Sequence, residues 1–515
     1  MRAGLSVRRL LALLSVLLPA VAAASEPAPV VRFDGGVRVI LPLPDGLLVA
    51  GPGRGREAWF AVLDPELRAR SARVFTGCGR CSLLAGTLLG DGRALLAGAR
   101  DPSGDGVEEG WVVLLDAQRG EVLAERIVRP PAGGRFLAAA AGYGRLLVAG
   151  EMFTDAGAGL DAWMVELDPE TLEPRDEWRF GGPLPDAAAV VLPVGVDAFL
   201  AAGWRFSAET GILGGWAARF GADPRPVWTA LLDGDAAFDV AALVRTGTNG
   251  AVLLGHDSRP DEETRTLMFD LRVATLDIER GATGRGVDLR DPAIDRMGIA
   301  VYEGSGEMLV LAARQGHPDG PDALELLALS AAGEFRSLDV WRDGERATVP
   351  AVMAPLADGG LAIGGWYRVE EGEEGPRGWL LRLPRSPIAL RPSSPDGLVL
   401  DIAPAGERGR VRVILENRGM RTREVNPLGP DTVFWLTAAD GPAPAQIGAM
   451  PGRAPDPAPG KARVRLPPGG RLEAVLEPGV APEDLPEARA AYSPDFTGRG
   501  IGRLIVSAPL SAAGG

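Results

Sequence analysis

The stretch "SLLAGTLLGDGRALLAG" (82–98) decides the fold. Two short apolar runs flank the Gly-Asp-Gly turn at 90–92, the pattern of a β-hairpin buried on both faces. The same design returns at 351–365 as "AVMAPLADGGLAIGG", and its second run recurs along the chain. The copies are "GLLVAG" (46–51), "ALLAGA" (94–99), "LLVAGE" (146–151), "FLAAGW" (199–204), "VLLGH" (252–256), "LVLAAR" (309–314) and "LAIGGW" (361–366). A spacing of roughly 50 residues suits one four-stranded blade of a β-propeller.

A variable loop and a third strand follow each run: "AWFAVLD" (58–64), "GWVVLLD" (110–116), "AWMVELD" (162–168), "GWAARFG" (215–221), "LRVATLD" (271–277), "LELLALS" (324–330) and "GWLLRLP" (378–384). Trp59, Trp111, Trp163, Trp216 and Trp379 share one repeat position, which assigns them to packing between blades rather than to ligand contact. Fourth strands follow six of these seven, among them "EWRFGGP" (177–183). The missing one reads at the other end of the chain, as "VVRFDGG" (30–36). A propeller whose last blade borrows its outer strand from the N-terminus closes its ring and leaves no open edge. The expectation is an all-β chain: a seven-bladed β-propeller over 25–386, closed by the N-terminal strand.

Residues 1–24 carry Arg2, Arg8 and Arg9 ahead of an apolar run and small residues near Ala24, the layout of a cleaved signal peptide. The run is too short to span a bilayer, and no cysteine lies near the cleavage point for lipid attachment. A periplasmic or secreted protein is expected, with no membrane insertion of the mature chain. Net charge is −14 over 515 residues, and removing the three leader arginines takes it to −17. A nucleic-acid partner is therefore disfavoured, for want of a basic footprint.

Beyond a Pro/Ser-rich linker at 387–397 the repeat stops, and 398–515 reads as short alternating strands between Gly, Pro and Asp turns. That pattern predicts a small Ig-like β-sandwich. "VILENRG" and "LPPGGRLEAVL" resemble pieces of secreted bacterial Ig-like or adhesion-type modules.

Candidate chemistry gathers in the loops between second and third strands, which lie with the interblade loops on one face of a propeller. They are acidic, and offer Asp155, Asp161, His256, Asp257, His317 and Asp319 as loop-face residues. "DPSGDG" spaces Asp101, Ser103 and Asp105 like the start of a calcium loop, but Val112 stands where the closing glutamate belongs, which excludes an EF-hand. Solvated surface is the favoured reading of these loops, and a looser oxygen-ligand calcium site is the alternative.

Only two histidines are present, His256 and His317, so multi-histidine metal and haem centres are excluded. A G-x-S-x-G context for a catalytic serine is absent. Cys78 and Cys81, the only cysteines, fall between a fourth strand and the next first strand, without the βαβ context of a thioredoxin-like pair. In an exported chain they read as a local structural disulfide.

"LLDAQRGEVLAERI" (114–127) and "ELDPETLEPRDEW" (166–178) resemble the third-to-fourth-strand turn of quinoprotein-type propellers. The resemblance implies that repeat superfamily, whose alcohol dehydrogenases bind pyrroloquinoline quinone with eight blades and two adjacent cysteines. The seven repeats and spaced cysteines here depart from that pattern, so the quinone is disfavoured and no cofactor is expected. The favoured function is non-catalytic binding or scaffolding, with the loop face recognising a protein or glycan. The alternative is a propeller enzyme, a quinone-dependent dehydrogenase or a carboxylate-based glycan hydrolase or lyase.

Overall fold

The computed structural model describes residues 30–507 except 155–158, 183, 207–212, 233–236, 248, 261–266, 285, 292–293, 305, 316–321, 344–345, 369–374, 389, 391–396, 406–409, 429–432, 437–462, 477–488 and 493–504. Among the described residues all regular structure is β, and no helix is long and apolar enough to cross a membrane. Seven antiparallel sheets have four strands each. In chain order they cover 39–75, 80–128, 134–180, 186–231, 237–289 and 295–341, and the seventh takes 348–383 together with Val30–Phe33; they are numbered 1 to 7 below.

Strand order within each sheet follows the chain, so each is a meander of hairpins, the shape of a propeller blade. The seventh is the exception: its fourth strand is Val30–Phe33, paired with Gly378–Leu383 in the register Val30↔Leu381 to Phe33↔Gly378. First strands of successive sheets lie against one another, and that of sheet 7 lies against that of sheet 1.

One register irregularity repeats. In sheets 2 to 7 the first strand skips one residue opposite the second strand: Leu84, Leu137, Ala189, Ala241, Ile299 and Ala351. The extra residue is a β-bulge, which leaves its side chain out of the pleat and bends the strand. Beside it on the second strand sits a glycine in every one of these sheets but the sixth, where Ala312 stands, because the bulged strand presses a carbonyl onto the Cα. A Cβ on Gly150 would come within 1.9 Å of the Arg135 carbonyl oxygen, and one on Gly203 within 2.0 Å of that of Ala187.

These glycines also face the repeated tryptophans across the next pair of strands: Gly51↔Trp59, Gly98↔Trp111, Gly150↔Trp163, Gly203↔Trp216 and Gly365↔Trp379. The bare glycine leaves room for a large ring at that level of the sheet. Four of the rings are then met by an aromatic side chain ending the previous sheet's outer strand. Phe33 stacks on Trp59 at 4.9 Å, Phe75 meets Trp111 edge-on at 4.8 Å, and Phe180 and Trp341 pack on Trp216 and Trp379 at 4.5 and 5.2 Å. In sheet 3, Phe136 from the first strand stacks on Trp163 at 4.5 Å instead. Each such pair adds about 0.5–1.5 kcal/mol to the burial of its rings. The sequence expectation that these tryptophans pack between blades is met.

A second unit follows. Leu398–Pro404, Val411–Asn417 and Arg471–Leu476 form one small sheet, Val433–Leu436, Arg489–Tyr492 and Ile505–Val506 another, and Arg423–Val425 pairs with Val464–Leu466. They enclose a core of its own that includes Leu400, Val413, Leu415 and Tyr492.

Candidate functional site

The two ends of the blades differ. At the end bearing the first-to-second-strand turns, the C-terminal unit is docked. Tyr143, held at φ 54°, donates its amide to the Arg418 carbonyl at 2.8 Å, and Gly144 donates to Gly419 at 3.1 Å. The Tyr143 hydroxyl donates to Glu416 Oε1 at 3.2 Å and accepts from Arg245. Burial pushes this phenol up to about 12. Arg418 is held by Glu416 and Asp401 at 2.7 and 3.1 Å. Arg421 and Arg423 reach Asp91 Oδ2 and the Gly90 carbonyl at 2.5 and 3.0 Å. The backbone bonds, the Tyr143–Glu416 hydrogen bond and the Arg421–Asp91 ion pair fix this contact in one register, so this end is covered around the turns of sheets 2 and 3.

At the opposite end lie the second-to-third-strand loops and the intersheet loops. Among the described residues, four of the ten exposed large apolar side chains stand there, Val107 (46% exposed), Phe153 (43%), Phe206 (39%) and Leu213 (36%). They are organised: Phe206 pairs across strands with Leu213, Phe153 with Leu160, and Val107 and Phe153 both flank Gly133. Sheets 2, 3 and 4 therefore share an apolar rim.

Nearer the first strands the same end is polar. Arg135 chelates Glu151 Oε1 through Nε and Nη2 at 2.8 and 2.7 Å, with Glu108 at 3.6 Å. Burial pushes the Glu151 carboxyl up. In sheet 4, burial raises Asp186 to about 6 although the Gly182 amide donates to it at 2.9 Å. In sheet 5, Asp239 and His256 face each other at 3.9 Å. Burial lifts Asp239 to about 6 and depresses His256 to about 4, so both are neutral around pH 5.

Arg38 departs from the repeat. A Cβ on Gly51 would meet the Gly36 carbonyl oxygen at 1.9 Å and the Arg38 amide nitrogen at 3.3 Å, as one on Gly203 meets Ala187 and Ala189. Arg38 thus occupies in sheet 1 the bulge position that holds leucine, alanine or isoleucine in the other six. Its guanidinium lies 4.2 Å over the Trp366 ring from sheet 7. No described carboxylate forms an ion pair with it. The side chain reaches solvent, yet desolvation by the surrounding walls, with repulsion from Arg135, draws it down to about 10.

The expected site residues are distributed as follows. Cys78 and Cys81 are joined, with sulfurs 2.04 Å apart; the Cys81 amide donates to the Arg56 carbonyl at 2.8 Å, so the bridged loop ties sheet 2 to sheet 1. Asp101 is 3% exposed, and its carboxylate accepts the Gly104 and Gly106 amides at 2.7 and 2.9 Å. Ser103 donates to Asp101 at 3.4 Å, and Asp105 accepts the Val107 amide at 2.9 Å. The loop's own amides thus donate to the carboxylates of Asp101 and Asp105. Among the described residues no group of three or more His, Cys, Asp or Glu is placed to hold a metal.

Asp161 is the second residue of the third strand of sheet 3, Leu160–Leu167, and burial pushes its carboxyl up. His256 and Asp257 stand within the strand Gly250–Pro260 rather than in a loop. Asp257 is wholly buried, and Arg272 Nη1 donates to both its oxygens at 3.1 and 3.0 Å. Asp155, His317 and Asp319 lie outside the described residues. Nothing in the sequence pattern alone marks Arg38, Trp366, Arg135 and Glu151; aligning the repeats on their bulges is the signal that finds them.

No family model and no curated protein matches this sequence. Solved structures similar to it include the polysaccharide lyase Uly1, at 10% identity and TM-score 0.43, covering 68% of this chain and 90% of that one. Extracellular domains 1-2 of Drosophila semaphorin 1a align at 10% identity and TM-score 0.41, over 69% and 88% of the two chains. The Dos1 propeller aligns at 10% identity and TM-score 0.40, over 70% and 95%.

Proposed function

We propose that this chain is an exported, non-catalytic binding protein: a seven-bladed propeller, closed by its N-terminal strand, that presents one face to a protein or glycan partner. The closed ring is supported by the pairing of Val30–Phe33 with the seventh sheet and by the return of first-strand contacts to sheet 1. The unit after residue 397 is an Ig-like sandwich that covers part of the other face and acts as a spacer or second contact surface. Export rests on the leader-like residues 1–24, which place the cysteine pair in an oxidising compartment.

One observation carries the binding role: the rim of Val107, Phe153, Phe206 and Leu213 is exposed on the end opposite to the one that the described C-terminal residues contact. Clustered exposed apolar groups rimmed by charge mark interaction surfaces. The aliphatic members favour a protein, since sugars stack on aromatic faces.

The test is native co-purification from the cell envelope with Phe153→Ser/Phe206→Ser, and with Leu123→Ser on an outer strand as control. The rim variant is expected to lose the partner and the control to keep it. A partner that ignores the rim, or stoichiometric bound quinone in the purified protein, would overturn the reading. N-terminal sequencing of the mature chain checks export, with residue 25 expected first.

A further inference from the structure

The geometry points to a second, small-ligand site at the mouth of the propeller axis: Arg38, seated on Trp366, takes the carboxylate of a ligand whose apolar stem enters between the bulge residues. This inference rests on the closed-ring reading given above and not on the identity of the protein partner.

Three observations converge on the chemistry. First, the seven equivalent bulge positions hold six apolar side chains and one cation. A structural role does not ask for an arginine where Leu84, Leu137 and Ile299 serve the same fold. Second, no described carboxylate pairs with the cation. Arg135, the neighbour whose charge it feels, takes the carboxylates of Glu151 and Glu108, and neither of these pairs with Arg38. A phosphate dianion would ask for two such charges, whereas a monocarboxylate matches one and suits the planar guanidinium fork. Third, the Trp366 ring beneath the guanidinium restricts its rotation and supplies an apolar flank. The ligand that fits is therefore a monoanion with an apolar body, supplied as a free aliphatic acid or as the C-terminus of an apolar peptide.

Calorimetry on the full-length mature protein tests this with octanoate against octanol, and with acetyl-Ala-Leu-Leu as free acid against its amide. One acid is expected to bind with at least tenfold preference over its neutral counterpart, and which acid it is identifies the source. Arg38→Leu restores the residue type of the other sheets, so it should melt like the wild type and lose that preference; Arg38→Lys should keep part of it. Equal binding of acid and neutral forms, no binding of either acid, or undiminished preference in Arg38→Leu overturns the site. None of these measurements involves the protein partner, so absence of co-purification with the octanoate preference intact overturns the partner reading alone.

Discussion

Sheets 1–4 and 7 differ from sheets 5 and 6 at one repeat position. Where five sheets set a tryptophan opposite the bulge-side residue of the second strand, sheet 5 pairs Gly255 with Arg272 and sheet 6 pairs Ala312 with Glu325. Neither charge is left alone. Arg272 binds Asp257 and lies 3.6 Å from Asp288, and its guanidinium sits 5.2 Å from the Phe238 ring. Glu325, 2% exposed, accepts from Arg296 Nε at 2.7 Å and from the Ser337 hydroxyl at 2.8 Å. One slot is thus filled either by a ring that locks onto the preceding sheet or by an ion pair satisfied inside its own sheet. The aromatic solution gains from burial outright, while the charged one must first offset the desolvation of two ions. The difference teaches that the repeat specifies a shape to be filled and leaves the chemistry of the filler free.

The largest test of that comparison removes the aromatic lock at its seam. Deleting residues 25–36 takes away Phe33 from Trp59, the outer strand of sheet 7, and the Arg32–Asp343 pair at 2.9 Å. A loss of at least about 5 kcal/mol is expected, comparable to the whole stability of a marginal domain. Thermal melting reads it, and an unchanged melt would sink the closure.

Next comes the fully buried Trp216. Trp216→Ala should cost about 3–5 kcal/mol through the cavity it leaves, measured by denaturant titration. Of similar or slightly smaller size, Glu325→Leu should cost about 3–4 kcal/mol, because it strands Arg296 with only Asp291 at 3.5 Å. The decisive arm is the double variant Arg296→Met/Glu325→Leu. If the slot asks only for volume, stability returns to within about 1 kcal/mol of wild type; a double variant as weak as the single one would show that sheet 6 requires its charges.

The same contrast explains what could be seen in advance. The hairpin at 82–98, the tryptophan position and the borrowed strand at 30–36 are legible because period, turn glycines and aromatic spacing are local signals. Arg272 and Glu325 stand in third strands that the repeat predicted, but nothing in one dimension shows that their partners are Asp257 on the adjacent strand and Arg296 on a strand two removed. From the sequence Asp257 accordingly reads as a loop residue, yet it lies buried in a strand. Arg38 is illegible in the sequence for a related reason. It sits in "DGGVRVI" (34–40) ahead of the paired strand, and only the backbone contacts at Gly51 align it with Ala189.

The smallest effect is the one most specific to the charged region. Asp239 in sheet 5 titrates at about 6 when folded, against an ordinary value near 3.8, because burial disfavours its ionised form. Folded protein therefore holds the proton more tightly than unfolded chain, and this group's contribution is complete below about pH 4 and lost as pH rises to about 6. His256 works against it: its folded value is about 4, the unfolded chain takes the proton first, and stability rises between about pH 4 and 6.5. Asp239→Asn removes the first effect and leaves the second. The variant should gain about 1–2 kcal/mol on wild type between pH 4 and 7, with the gain confined to amide exchange in sheet 5. Sheet 2, sealed by Trp111, should show no such dependence. A pH response spread equally over both sheets would mean that the aromatic and charged fillers do not divide the molecule as the structure divides it.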